Sequence, residues 1–177
     1  LMTRELLDRK SEVCSLMLRL FSAISGAGDA QNMLRRCGDE LRQLLDLRGL
    51  HALWWGKGGE ALAFVGQDDD SNRLDAASSR AWYEFLLSGA PAEIRSMPVR
   101  LVCCGGSTGS PYAGKVLWLP LEVGGRRLGL LALMFARPLL VGRDMSLALD
   151  AIRHFMASAL NGYLHDVNDE QPVSLQA

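Results

Sequence analysis

The feature that most restricts the fold is a pair of apolar runs, 116–123 and 126–136, joined by Gly124-Gly125. Two adjacent glycines can both take positive φ, as a two-residue turn between right-twisted strands requires. The runs therefore predict a β-hairpin. Within the second run, residues 128–135 are apolar at almost every place. A strand with one wet face would alternate apolar and polar residues. This one does not, so it is expected to be covered on both faces.

The rest of the chain supplies the covering elements. Leu6, Lys10, Val13, Met17, Leu20 and Ile24 alternate steps of four and three, with Leu16 and Phe21 widening the stripe. That is a heptad seam on a helix, with one polar member. Gly26 and Gly28 end it. Asp29 is placed as the N-cap of a second helix, whose apolar face runs through Met33, Leu34, Cys37, Leu41, Leu44 and Leu45. Gly49 is expected to end it in a left-handed conformation. Residues 50–55 read as a buried strand, 56–59 as a Gly-rich turn, and 60–65 as the returning strand. After a polar loop, Asp75 is expected to cap a third helix with Ala81, Trp82, Phe85 and Leu86 on one face. Residues 99–104 form another candidate strand and 105–114 a loop. A last helix starts near Asp144, where Met145, Leu149, Ile152, Met156, Ala159 and Tyr163 repeat the four-and-three step.

Strands arriving in hairpins, with helices grouped at the ends, predict an α+β fold. The expected architecture is a central antiparallel sheet of five or six strands, flanked by N- and C-terminal helices. Three segments are expected: a signalling or dimerisation helix (1–25), a domain that includes the last helix (26–166), and a disordered tail or linker (167–177). The 177 residues fit one domain, and 49% hydrophobic content suits a packed core. A net charge of -1, with no basic stripe, argues against nucleic acid as a partner. No apolar run reaches the ~18–20 residues that span a bilayer, so no membrane partner is expected. Cys14, Cys37, Cys103 and Cys104 lack metal or disulfide-framework spacing, which suits a reducing cytoplasm.

Several residues then point to one family. Leu119-Pro120-Leu121, followed by Gly124-Gly125 and the run Leu128-Gly129-Leu130-Leu131, resembles the closing hairpin of GAF domains. Ala136-Arg137-Pro138 before Asp144 resembles their exit into the last helix, and Met33-Leu34 with Leu41 resembles their opening helix. The resemblance covers roughly residues 25–165. It implies a GAF/PAS-like sheet with a ligand pocket on one face, and terminal helices that form a parallel dimer bundle and pass a signal onward. The Cys-His pair of bilin-binding members and the residue set of cyclic-nucleotide-binding members are missing. No output element such as a kinase, a nucleotide cyclase or a helix-turn-helix transcription regulator is visible.

Trp55, Phe64, Trp82, Phe85 and Trp118 come from elements that would surround such a pocket, and aromatic walls with few polar groups suit a ligand. Core packing uses the same residue types. Arg100, Cys103 and Tyr112 join them as polar candidates, and Arg100 would suit an anion. Val13, Met17, Leu20 and Ile24, with Leu149, Ile152, Met156 and Tyr163, are the candidates for a dimer interface. Gly109 to Lys115 fits a phosphate loop by spacing, but a strand follows where that chemistry needs a helix. His51, His154 and His165 do not cluster at metal-binding spacing and read as solvated or core-edge residues; no metal site is expected. Adjacent residues on a strand face opposite ways, so only one of Cys103 and Cys104 could face a pocket. The function expected is that of a non-catalytic sensory or regulatory module. It would bind a small molecule, dimerise, or both, and so control an attached or separate output domain. The alternatives are a pure protein-interaction module and, more weakly, an enzyme resembling free methionine sulfoxide reductase. No cofactor is identified by the sequence.

Overall fold

The structure is a computed structural model describing residues 2–45, 47–55, 61–66, 76–104, 115–135 and 142–169. The expected turn at 56–59, the Asp75 cap, the loop 105–114 with Tyr112, and the chain beyond 169 lie outside these residues. The elements run α1 (Met2–Ser25), α2 (Ala30–Leu45), β1 (Leu47–Trp55), β2 (Ala61–Gly66), α3 (Ala76–Ser88), α4 (Ala92–Arg95), β3 (Val99–Cys104), β4 (Lys115–Val123), β5 (Arg126–Phe135) and α5 (Arg143–Asp169). This is the α+β order read from the sequence, with the short α4 added.

The five strands form one sheet in the order β3-β2-β1-β5-β4. The hairpin β4-β5 turns through Gly124 and Gly125 at φ 58° and 76°, with Val123 paired to Arg126. Pairings β1-β2, β1-β5 and β4-β5 are antiparallel. The fourth pairing, β2 with β3, is parallel, a departure from the all-antiparallel expectation. Its cause is the crossover through α3 and α4, which brings β3 in from the end of the sheet where β2 also began. Gly49 is a second departure. It lies inside β1, at a register shift against β5, and not at a left-handed helix end. Asp29 does cap α2: its Oδ1 accepts the Asn32 backbone N–H at 2.7 Å.

Two layers cover the sheet. On one face α1, α2 and α5 bury Leu16, Leu20, Met33, Leu34, Leu41, Ile152 and Met156 against Leu50, Trp54, Phe64, Leu131 and Leu133. On the other, α3 and α4 cover Leu53, Trp55, Ala61, Ala63, Leu130, Ala132 and Met134. Strand β5 lies between the two layers with every residue from Leu128 to Phe135 buried, as its unbroken apolar run predicted.

This packing corrects the dimer assignment. Leu20, Ile24, Leu149, Ile152 and Met156 are buried in the chain's own core, between 0% and 8% exposed, so their side chains pack within the chain itself. Val13 and Met17 are half-buried, and half-buried Tyr163 packs on the same core. The four-and-three seam is what each terminal helix needs to lie on the sheet and on the other helix. The large apolar side chains that remain exposed are different ones: Leu18 at 70%, Leu147 at 61% and Phe155 at 51%.

Candidate functional site

Strand periodicity builds the site. Successive side chains point to opposite faces, so His51, Leu53 and Trp55 share the face under α3, while Ala52 and Trp54 share the face under the terminal helices. Helix α3 adds Trp82, Phe85 and Leu86 from positions three and four apart, all buried. Strand β4 adds Trp118 from the sheet edge.

The rings meet in sequence. His51 stacks on Trp82 with centroids 4.0 Å apart and planes at 26°. Trp82 meets Phe85 edge-on at 5.8 Å, and Phe85 stacks on Trp118 at 5.3 Å. Gly89 lets the end of α3 settle here, because a Cβ at that position would lie 3.1 Å from the Trp118 ring. Trp55 closes the other end, its Nε1–H donating to the Arg127 carbonyl oxygen at 3.2 Å.

The polar atoms of this layer are less well served. His51 is fully buried, and neither ring nitrogen has a hydrogen-bond partner; Trp82 Nε1 is also buried and unpartnered. Burial alone lowers the His51 pKa to about 3, so the ring is neutral at physiological pH. Among the described residues, His51 is the only buried polar or charged side chain.

The sequence candidates divide accordingly. Trp55, Trp82, Phe85 and Trp118 come together in the aromatic layer. Phe64 does not. It is in register with Ala52 and lies in the terminal-helix core, because its parity on β2 opposes that of Ala61 and Ala63. Arg100 and Cys103 stand on β3 in register with Leu62 and Val65; their side chains, like Tyr112, fall outside the description. His51 is the residue that sequence reasoning placed wrongly, at the surface or core edge. Its spacing of four from Trp55 on one strand was the signal that both share a face.

A second concavity lies elsewhere. A groove of about 540 Å³ between β4 and α5 is lined by Leu117, Leu119, Pro120, Leu147, Asp150 and Arg153. Arg153 ties its walls together, donating to the Pro120 carbonyl at 3.1 Å and pairing with Asp150 at 2.6 Å. None of the sequence's pocket candidates lines it. Of the cysteines, Cys14 is exposed and Cys37 buried. Burial, helped by nearby Glu40, pushes the Cys37 thiol up to about 12, which makes it a poor nucleophile. Lys115 opens a strand, so the phosphate-loop spacing before it has no helix to serve.

A five-stranded sheet with terminal helices on one face and a crossover helix on the other defines an α+β class that comparison with solved structures narrows further. The GAF domain of a Coxiella burnetii phosphoenolpyruvate-protein phosphotransferase matches with a TM-score of 0.59 at 12% identity, over 90% of this chain and 98% of that one. The corresponding GAF domain from Acinetobacter matches at 0.54 and 9% identity, over 89% and 97%. Free methionine-R-sulfoxide reductase from Neisseria meningitidis, solved in complex with its substrate, matches at 0.54 and 10% identity, over 89% and 93%. No protein-family model and no curated protein matches the chain. The chain has a GAF-like fold.

Proposed function

We propose that this chain is a non-catalytic sensory or regulatory module whose aromatic layer receives a small molecule, and whose terminal helices pass the occupancy to an attached or separate output domain. The observation that carries this reading is the contrast between the two faces of one sheet. The terminal-helix face is filled mainly by aliphatic side chains, packed around Trp54, Phe64 and Phe135. The other face holds a chain of aromatic rings around a buried histidine with no partner. Unsatisfied buried polar groups cost stability and persist where function requires them. The fold shared with GAF domains of phosphotransferases is consistent with a regulatory role. The test is a thermal-shift screen of a metabolite library, read alongside the fluorescence of the layer's tryptophans. Binding to the native chain alone raises its melting temperature. A library in which no compound does so, and none changes the fluorescence, refutes the reading.

A second reading, a self-associating or partner-docking module, rests on the exposed Leu18 and Phe155, with Phe21 in contact with Phe155 at 4.3 Å between ring centroids. Sedimentation of Leu18→Glu and Phe155→Glu tests it, since a dimer built on this ridge would dissociate in both. The absence of catalysis is itself part of the proposal. A Cys103→Ser, Cys104→Ser double variant that removes a measured reduction of free methionine sulfoxide would overturn it.

A further inference from the structure

We propose that the groove between β4 and α5 binds a small carboxylic acid with an alkyl body. The chain lies along Leu117, Leu119 and Leu147, and the carboxylate pairs with Arg153. The groove opens on the terminal-helix side of the sheet, so this site is separate from the aromatic layer. A ligand there fastens the last helix to the edge strand.

Three observations lead there. First, the chain leaves this trough partly uncovered. Alternation on β4 sends Leu117, Leu119 and Leu121 to the face under the terminal helices. Leu121 is fully buried, but Leu117 and Leu119 are only half-buried. On the facing wall, Leu147 of α5 is 61% exposed. Strand β4 ends the sheet, so no further strand closes that side. The result is a mostly apolar concavity of about 540 Å³, within the roughly 300–1,000 Å³ that small-molecule sites occupy. Second, the groove holds one cation, and it is already positioned. Arg153 Nε donates to Asp150 at 2.6 Å and Nη1 donates to the Pro120 carbonyl at 3.1 Å. Its Nη2 amino group has no partner among the described residues. A guanidinium held in place with donors to spare suits a carboxylate, which accepts them with charge assistance. Asp150 is more than half exposed, so water screens its repulsion of a second carboxylate. Third, the edge strand is closed to a peptide at the middle of the groove. Pro120 has no N–H, and its carbonyl, on the same outward edge, is taken by Arg153. A strand laid beside β4 would find neither bond there. That favours a compact molecule over a peptide added to the sheet. Residues 117–120 span about 10 Å of strand, the order of an extended octanoate chain.

The experiment measures the binding of butanoate, hexanoate and octanoate to the 177-residue chain by calorimetry. Octanol, which keeps the chain without the charge, and octylamine, which reverses the charge, are the controls. Affinity should rise along the acid series by about two- to fourfold for each added CH₂, as burial in an open groove implies. Octanoate should bind about tenfold more tightly than either control, the worth of a charge-assisted pair at a half-buried site. Arg153→Gln should remove that advantage and leave the affinity for octanol unchanged, which a merely structural role for Arg153 would not do. Leu147→Glu alters an exposed position, so the chain still folds with an unchanged melting temperature. It places a negative charge beside the groove and should weaken octanoate by about tenfold as well. Three results overturn the inference: no measurable binding of octanoate, octanol or octylamine binding as tightly as octanoate, or an octanoate affinity that neither chain length nor the two substitutions move. None of them bears on the aromatic layer, whose own ligand would still bind Leu147→Glu.

Discussion

Lowering the pH should weaken this protein through one side chain, and the size of the effect follows from where His51 sits. The ring is fully buried, neither nitrogen is paired, and its pKa lies at about 3, against 6.5 for an unburied imidazole. Below pH 6.5 the unfolded chain takes up a proton at this position that the folded chain refuses. The folded pKa is depressed, so the stability linked to it is complete above 6.5 and is lost as pH falls toward 3. Each pH unit in that window costs about 1.4 kcal/mol, or about 3 kcal/mol by pH 4.5. That is a large part of the roughly 5–15 kcal/mol holding a typical domain together. Carboxylates also titrate in this range, so the informative quantity is the difference between the wild type and His51→Leu. Urea denaturation followed by tryptophan fluorescence at pH 7.5, 5.5 and 4.5 gives it. At pH 7.5 the variant should be as stable as the wild type or more so. It loses a ring contact of about 0.5–1.5 kcal/mol and sheds two unpaired nitrogens, each costing about 1–3 kcal/mol. The gap should then widen in the variant's favour by about 3 kcal/mol at pH 4.5. A gap that stays constant with pH would show that the folded protein accommodates a charged His51, and would refute the argument.

Other perturbations have equally definite outcomes. Leu20→Ala should cost about 3 kcal/mol in a denaturant titration, because that side chain is fully buried in the chain's own core. Leu18→Glu, two residues away and 70% exposed, should change monomer stability by no more than about 0.5 kcal/mol. Gly129→Ala should cost about 3 kcal/mol or prevent folding, since its Cβ would lie 2.7 Å from the Leu53 carbonyl oxygen in the middle of the sheet. Alkylation followed by mass spectrometry should label exposed Cys14 quickly, and Cys37 only on unfolding, because burial removes its thiolate as well as its access.

Local chemistry was legible in the sequence, and long-range partnership much less so. The glycine turn, the Asp29 cap and the doubly covered β5 each follow from a few adjacent residues, and each stands as expected. The aromatic layer was partly legible: period two on β1 and period 3.6 on α3 place Trp55, Trp82 and Phe85 on facing surfaces. Phe64 was misplaced because nothing local fixes the pairing that decides its face; only its register with Ala52 does so. The parallel β2-β3 pair escaped for the same reason. The terminal seams show a deeper ambiguity. Steps of four and three describe a helix packed along one side, whether the surface opposite belongs to the same chain or to another copy. Over the 24 residues of α1 the periods 3.5 and 3.6 differ too little to separate the two cases. The burial of Leu16 and Leu20 against the sheet decides it.

On the function proposed above, the sheet divides the molecule's tasks between its faces, and that division has a measurable consequence. Its terminal-helix layer is dense with Leu, Ile and Met, apart from the unpartnered Trp54 Nε1. Substitutions there that remove carbon should lower stability in proportion to the cavity they leave. The opposite layer sets small alanines under large rings and keeps three ring nitrogens unpaired, so an apolar substitution at His51 should leave stability intact or raise it while removing recognition. Opposite signs at Leu20 and His51, in one protein under one denaturant, are what a stability layer and a recognition layer on the same sheet must give. Equal losses at both positions would mean that His51 is an ordinary core residue whose nitrogens are satisfied in solution, and the case for a ligand at this face would then lose its foundation.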